Sequence, residues 1–143
     1  MRLTPALLAA CAMLTTAGAA GASAAGDITG LWATPSDNGR VQIYRCGEGL
    51  CGKLVDADQI RANPNQNDHY NKRSHERSRK VKGLVLFAGY KGGPTEWKGG
   101  EIYDPRTGDT GRSGKIKVIS DNALDVKGCL GPICRTQRWK RVD

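Results

Sequence analysis

Two C-x4-C units, Cys46-Gly47-Glu48-Gly49-Leu50-Cys51 and Cys129-Leu130-Gly131-Pro132-Ile133-Cys134, constrain this chain more than any other feature. Each lies between runs with strand-like alternation and spans a stretch rich in turn residues. In a hairpin with a four-residue loop, the flanking residues face each other and their Cβ atoms come within disulfide reach. The spacing therefore predicts the local pairs Cys46–Cys51 and Cys129–Cys134, although four cysteines permit three connectivities. A zinc site usually separates paired thiolates by about two to four residues, and redox catalysis favours C-x-x-C. Structural disulfides fit the spacing better than either.

The N-terminus indicates the compartment. Arg2 precedes an Ala-rich apolar stretch from Leu3 to about Ala20, and Ala22-Ser23-Ala24 supplies a small-x-small cleavage site. Residues 1–24 read as a secretory signal peptide and residues 25–143 as a single domain. A competing lipoprotein box, Leu8-Ala9-Ala10-Cys11, would divide the apolar segment in a way that suits such a leader poorly. Cleavage after Ala24 removes Cys11 and leaves an even number of cysteines, as expected in the periplasm or outside the cell, where disulfides persist. It also removes Arg2, so 21 basic residues face 14 acidic ones, a charge of +7. No later stretch approaches the roughly 20 apolar residues of a membrane span.

Beyond the leader, short runs alternate with glycine-rich punctuation. Strands are predicted over residues 28–33, 40–46, 51–56, 83–90, 97–103, 112–119, 123–129 and 134–142. Ile116 and Val118 share one face while Lys115 and Lys117 share the other; Leu124 and Val126 alternate with Asp125 and Lys127. That is sheet with one wet face. Turn formers such as Ser36-Asp37-Asn38-Gly39 and Asp104-Pro105-Arg106-Thr107-Gly108 make most connections tight. About eight short antiparallel strands predict an all-β, small up-and-down barrel, a closed form that removes exposed edges. One Phe, three Trp and four Tyr predict a filled interior rather than the roomy cavity of a large lipid carrier.

The exception to tight connection is residues 57–82. Connectors of this length are uncommon in compact domains and are functional or disordered. The second half carries Lys72, Arg73, His75, Arg77, Arg79, Lys80 and Lys82 against one acid, Glu76. These residues form the candidate binding site, for a polyanion held through counterion release or for anionic lipid head groups. Tyr70 alone gives no stacking platform for single-stranded nucleic acid, and a secreted protein rarely meets the intracellular kind, which favours envelope polyanions. The bland alternative is a solvated loop on a basic protein.

Other chemistry is sparse. Asn63-x-Asn65-x-Asn67 starts like a calcium loop but lacks the turn glycine and the distal Glu. His69 and His75 near Asp56, Asp58 and Asp68 read as loop residues, so no metal and no cofactor is expected. No G-x-S-x-G is present, and no set of groups reads as catalytic. Asp104 reads as a turn residue.

The motif order resembles a known family. Gly30-x-Trp32 is followed by Ile43-Tyr44-Arg45-Cys46, Leu50-Cys51-Gly52 and Asn63-Pro64, then by Arg79 four residues before Gly83. Trp97-Lys98-Gly99-Gly100-Glu101-Ile102-Tyr103-Asp104-Pro105 and Leu124-Asp125-Val126-Lys127-Gly128-Cys129 come next, and Arg138-Trp139-x-Arg141 closes the set. Over residues 28–142 this resembles the secreted bacterial family catalogued as domain of unknown function 2147. It departs from that pattern at Gly111, where the family carries an aromatic residue. The resemblance implies a calycin- or lipocalin-like barrel and no established activity. In similar barrels the Gly-x-Trp ring is covered by an arginine of the last strand, here Arg138 or Arg141.

The expected function is a periplasmic, non-enzymatic binding or envelope-associated module, with an anionic envelope component or small ligand as partner. The alternatives are a hydrolase using Asp104 and a loop histidine, and a structural or partner-inhibiting envelope protein.

Overall fold

Alternating apolar positions and glycine turns give the chain ten β-strands: β1 (Gly30–Ala33), β2 (Arg40–Cys46), β3 (Gly49–Asp56), β4 (Val85–Gly92), β5 (Glu96–Lys98), β6 (Glu101–Asp104), β7 (Asp109–Gly111), β8 (Lys115–Ser120), β9 (Ala123–Leu130) and β10 (Ile133–Arg141). A computed structural model describes residues 26–142; the expected leader, with Cys11, lies outside them. All strand pairs are antiparallel, and β3–β4 pairing joins the sheet back on itself. Lys91↔Lys98 and Ala88↔Glu101 lie on one register, as do Lys98↔Lys115 and Ile102↔Gly111. Hence β5 with β6, and β7 with β8, are each one interrupted strand. The result is the expected closed barrel of eight strands in up-and-down order.

Inward residues fill one end of the barrel. Trp32, Ile43, Leu50, Tyr90, Ile116 and Leu124 are fully buried there. Phe87 and Tyr90 meet edge to face, their centroids 5.2 Å apart. Both rings need glycine opposite them. A Cβ on Gly52 would lie 2.2 Å from the Phe87 ring, and one on Gly100 would lie 2.1 Å from the Tyr90 ring. On Gly114 it would lie 1.7 Å from the Tyr90 hydroxyl. That hydroxyl has no partner among the described residues, and burial pushes its pKa up to about 12. Gly111 follows the same logic, since a Cβ there would lie 2.0 Å from the Cys129 carbonyl oxygen. An aromatic residue at this position would collide with β9.

Both disulfides form as expected. The hairpin geometry differs in detail, because Gly47-Glu48 and Gly131-Pro132 each make a two-residue turn whose glycine has φ 60°. Cys134 stands directly opposite Cys129. Cys51 instead faces Tyr44, so the Cys46–Cys51 link runs diagonally across the ladder.

The ring closes where β1 meets β10 at only two positions, Trp32↔Arg141 and Ala33↔Lys140. Of the two candidate arginines, Arg141 covers the Trp32 ring, at 4.4 Å from its centroid. It also donates to the carbonyls of Thr29 (2.9 Å), Asp27 (2.9 Å) and Asp121 (2.7 Å). Arg138 turns outward and pairs with Asp125. Trp32→Ala should therefore cost about 3–5 kcal/mol as a large buried deletion. Arg141→Ala should lower the thermal midpoint clearly while Arg138→Ala leaves it nearly unchanged; equal losses in thermal melts would refute the assignment of the seal.

Candidate functional site

At the other end, inward positions carry smaller or more widely set side chains, and the barrel stays open. The β1–β2, β3–β4, β6–β7 and β9–β10 connections surround a cavity of about 600 Å³. This corrects the filled interior that the aromatic count predicts. Trp32, Tyr90 and Trp97 are buried away from the cavity, and Gly128 leaves its wall bare beside Ile102. Leu54, Leu86, Phe87, Ile102, Val126 and Trp139 line the interior. Leu130 and Ile133, 40% and 66% exposed, carry this apolar surface out to the lip.

Polar groups are confined to the rim. Gln137 donates to Ser36 Oγ (2.6 Å) and accepts from Trp139 Nε1 (3.1 Å). Arg106 is bound to Asp104 through three donors at 2.9–3.1 Å. That gives Asp104 the turn role expected of it. Arg135 also lines the rim, and the described residues offer it no partner. Its signature was present in the sequence as the period-two stripe Arg135-x-Gln137-x-Trp139, one strand face that turns polar toward the mouth.

The long connector is ordered and stands against this mouth. It contains α1 (Asp58–Ala62), a single 3-10 turn (Ser74–Glu76) and a bridge between Asn67 and Lys80. Ile60, Val81 and Leu84 are buried in it. Its key is Asp68, fully buried, which accepts from Tyr103 Oη (2.6 Å), Asn71 Nδ2 (2.9 Å) and Arg79 Nη2 (3.0 Å). Burial alone would push the Asp68 carboxyl up, but those donors and the Arg79 charge hold it below the ordinary carboxylate range. Burial and the bond to Asp68 push the Tyr103 hydroxyl up. Tyr103 also lines the cavity, so the network ties loop to rim.

Most of the candidate cations are engaged within the protein. Arg79 holds Asp68 and Glu76, and Arg77 donates to the Asn71 carbonyl at 2.7 Å. Lys72 pairs with Asp109 at 2.5 Å, and Lys80 donates to Asn65 and Asn67. Arg73 and His75 stand exposed beside Glu76, at 3.4 and 3.9 Å. Lys82 alone of the set has no partner among the described residues. His69 is exposed.

The model for the family described as "Uncharacterized protein conserved in bacteria (DUF2147)" matches residues 30–141. The chain belongs to this family. No functionally curated protein matches at a significant level. Among solved structures, protein HP1028 from Helicobacter pylori, described as belonging to the lipocalin family, matches with a TM-score of 0.71 and 20% identity. The match covers 82% of this chain and 84% of that one. At that identity the likeness speaks for the barrel fold, and this DUF2147 member is a lipocalin-like barrel whose open end holds the cavity. No helix among the described residues is long and apolar enough to cross a membrane.

Asp68→Asn should destabilise the protein by about 1–3 kcal/mol at pH 7, the range for a buried partner left poorly matched, with Arg79 partly open to solvent. Because the folded carboxyl is held low, its contribution is complete above the ordinary carboxylate pKa of about 3.9 and is lost as pH falls through the lower folded value. Denaturant titrations should show the wild-type advantage shrinking below about pH 4; an advantage constant from pH 7 to pH 3 would rule the network out as its source.

Proposed function

We propose that this protein is a non-enzymatic, extracytoplasmic binding module that takes a small amphipathic anion into the open end of the barrel. The cavity itself carries the proposal. Its volume suits a drug-sized or short-chain ligand, and such sites combine an apolar lining with a few placed polar groups. An alkyl or ring portion would displace water from Leu54, Leu86, Ile102, Val126 and Trp139. An acidic end would meet Arg135, the rim cation without a partner. The two disulfides and the leader-like N-terminus favour an oxidising compartment such as the periplasm. In this reading the basic connector shapes the mouth through Asp68 and Tyr103, and Lys82 and Arg73 add attraction for anions from its outer side.

Dodecanoate and the fluorescent anion 1-anilinonaphthalene-8-sulfonate are suitable probes, with Trp139 as an internal reporter. A Cβ on Gly128 would meet only Ile102, at 3.5 Å, so Gly128→Leu can grow into the cavity without striking backbone. That variant should keep its thermal midpoint within a few degrees and lose about tenfold or more in affinity for both probes. Arg135→Gln should weaken dodecanoate several-fold while leaving dodecanol unchanged. Unaltered binding in Gly128→Leu would place the ligand elsewhere and end this reading.

A further inference from the structure

The outer wall of the barrel carries a second feature, independent of the cavity. Cross-strand pairing sets Lys91 of β4 opposite Lys98 of β5, Lys98 opposite Lys115 of β8, and Lys115 opposite Lys127 of β9. Four lysines on four adjacent strands thus stand in one row. With strands about 4.8 Å apart, the row is about 14 Å long. Like charges directly opposite one another destabilise a sheet. One carboxylate, Glu96, serves the row, at 3.3 Å from Lys115 and 4.0 Å from Lys98. Lys91 and Lys127 have no partner among the described residues.

The adjacent row shows what the same sheet does otherwise. Glu96 faces Lys117, Lys117 faces Asp125, and Asp125 faces Arg138, so charges alternate across four strands. The lysine row departs from that arrangement at every step. Beside it the surface is bare: Gly89 and Gly99 are exposed, and a side chain at either would meet nothing within 4 Å.

We infer that the lysine row is a binding site for a linear anionic polysaccharide, lying along the bare strip with its sulfate, phosphate or carboxylate groups on the ammonium groups. Curvature selects a chain over a flat partner. The row crosses four of the eight strands of a closed ring, so it bends around the barrel and a planar lipid surface would reach only part of it. Chemistry selects sugar over nucleic acid. The row residues are all lysine, flanked by glycine, and Trp97 of β5 is buried on the inner face, which leaves no ring for bases to stack on. Lysine ammoniums act as point charges for such groups and release counterions on contact.

The test compares two variants of equal net charge in the full-length secreted protein. One replaces Lys91, Lys98 and Lys127 with Gln; the other replaces Arg45, Lys53 and Lys140 with Gln. The probes are a heparin octasaccharide, a 12-nucleotide single-stranded DNA and vesicles containing phosphatidylglycerol, each titrated at several salt concentrations. The row variant should bind the octasaccharide about tenfold or more weakly, and its slope of log affinity against log salt should fall by about two. Its thermal midpoint should hold or rise, because like-charge contacts have been removed. The second variant should stay within about twofold of wild type. Equal losses in both would reduce the effect to net charge and overturn the inference. So would tighter binding of the DNA, binding of vesicles that matches the octasaccharide and is lost with the row, or no octasaccharide binding by the wild type at low salt.

Discussion

The contact between Arg141 and Trp32 conditions the rest of the structure. A barrel of eight strands has no free edge only if its first and last strands meet, and here they share two ladder positions. So short a seam would fray without further support. The Arg141 guanidinium supplies that support by lying over the indole and taking three carbonyls from two separate segments, the N-terminal stretch and the β8–β9 turn. Trp32 Nε1 completes the arrangement by donating to the Ile28 carbonyl at 2.9 Å. The opposite end can remain open because this end is shut.

A second constraint fixes where the interior is full. Phe87 and Tyr90 come from the same strand, and the positive φ of Gly89 (74°) between them lets both rings turn inward despite their odd spacing. Each ring occupies volume that a Cβ on a neighbouring strand would otherwise claim, at Gly52, Gly100 and Gly114. Gly100 and Gly114 lie in the interruptions between β5 and β6 and between β7 and β8. The breaks in those strands therefore belong to the packing of Tyr90. With Trp32, Tyr90 and Trp97 spent away from the cavity, Phe87 and Trp139 only line its wall, and the modest aromatic complement leaves that half unfilled.

Much of this fold was readable because its signals are local. Strand alternation, the two C-x4-C hairpins and the Gly30-x-Trp32 opening each depend on residues close in sequence, and each was found where expected. The cavity was not readable, since a count of aromatic residues measures volume but says nothing about which end it occupies. Residues 57–82 read as a polar connector because Asp68 and Asn71 are polar, yet both are buried and paired. The partner of Asp68 that ties it to the rim, Tyr103, lies 35 residues away. The basic run was visible as composition, but the salt bridge that engages Lys72 joins it to Asp109, 37 residues on. Partnership across such distances is a property of the folded register.

The same reasoning separates the number of charges from their availability. The connector holds the densest basic run in the chain, yet Lys72 and Arg79 are set against carboxylates, and Arg77 and Lys80 are turned onto carbonyl oxygens of the loop itself. Lysines scattered over four strands, none adjacent in sequence, share a single carboxylate once the register aligns them. Attraction for a polyanion depends on the charge that remains uncompensated at the surface, and screening limits its reach to about 8–10 Å at physiological salt. Within that distance the barrel wall at Lys91, Lys98, Lys115 and Lys127 sets four ammonium groups in a line against one carboxylate, whereas in the loop Lys72, Arg73 and Arg79 each face a carboxylate of their own surroundings.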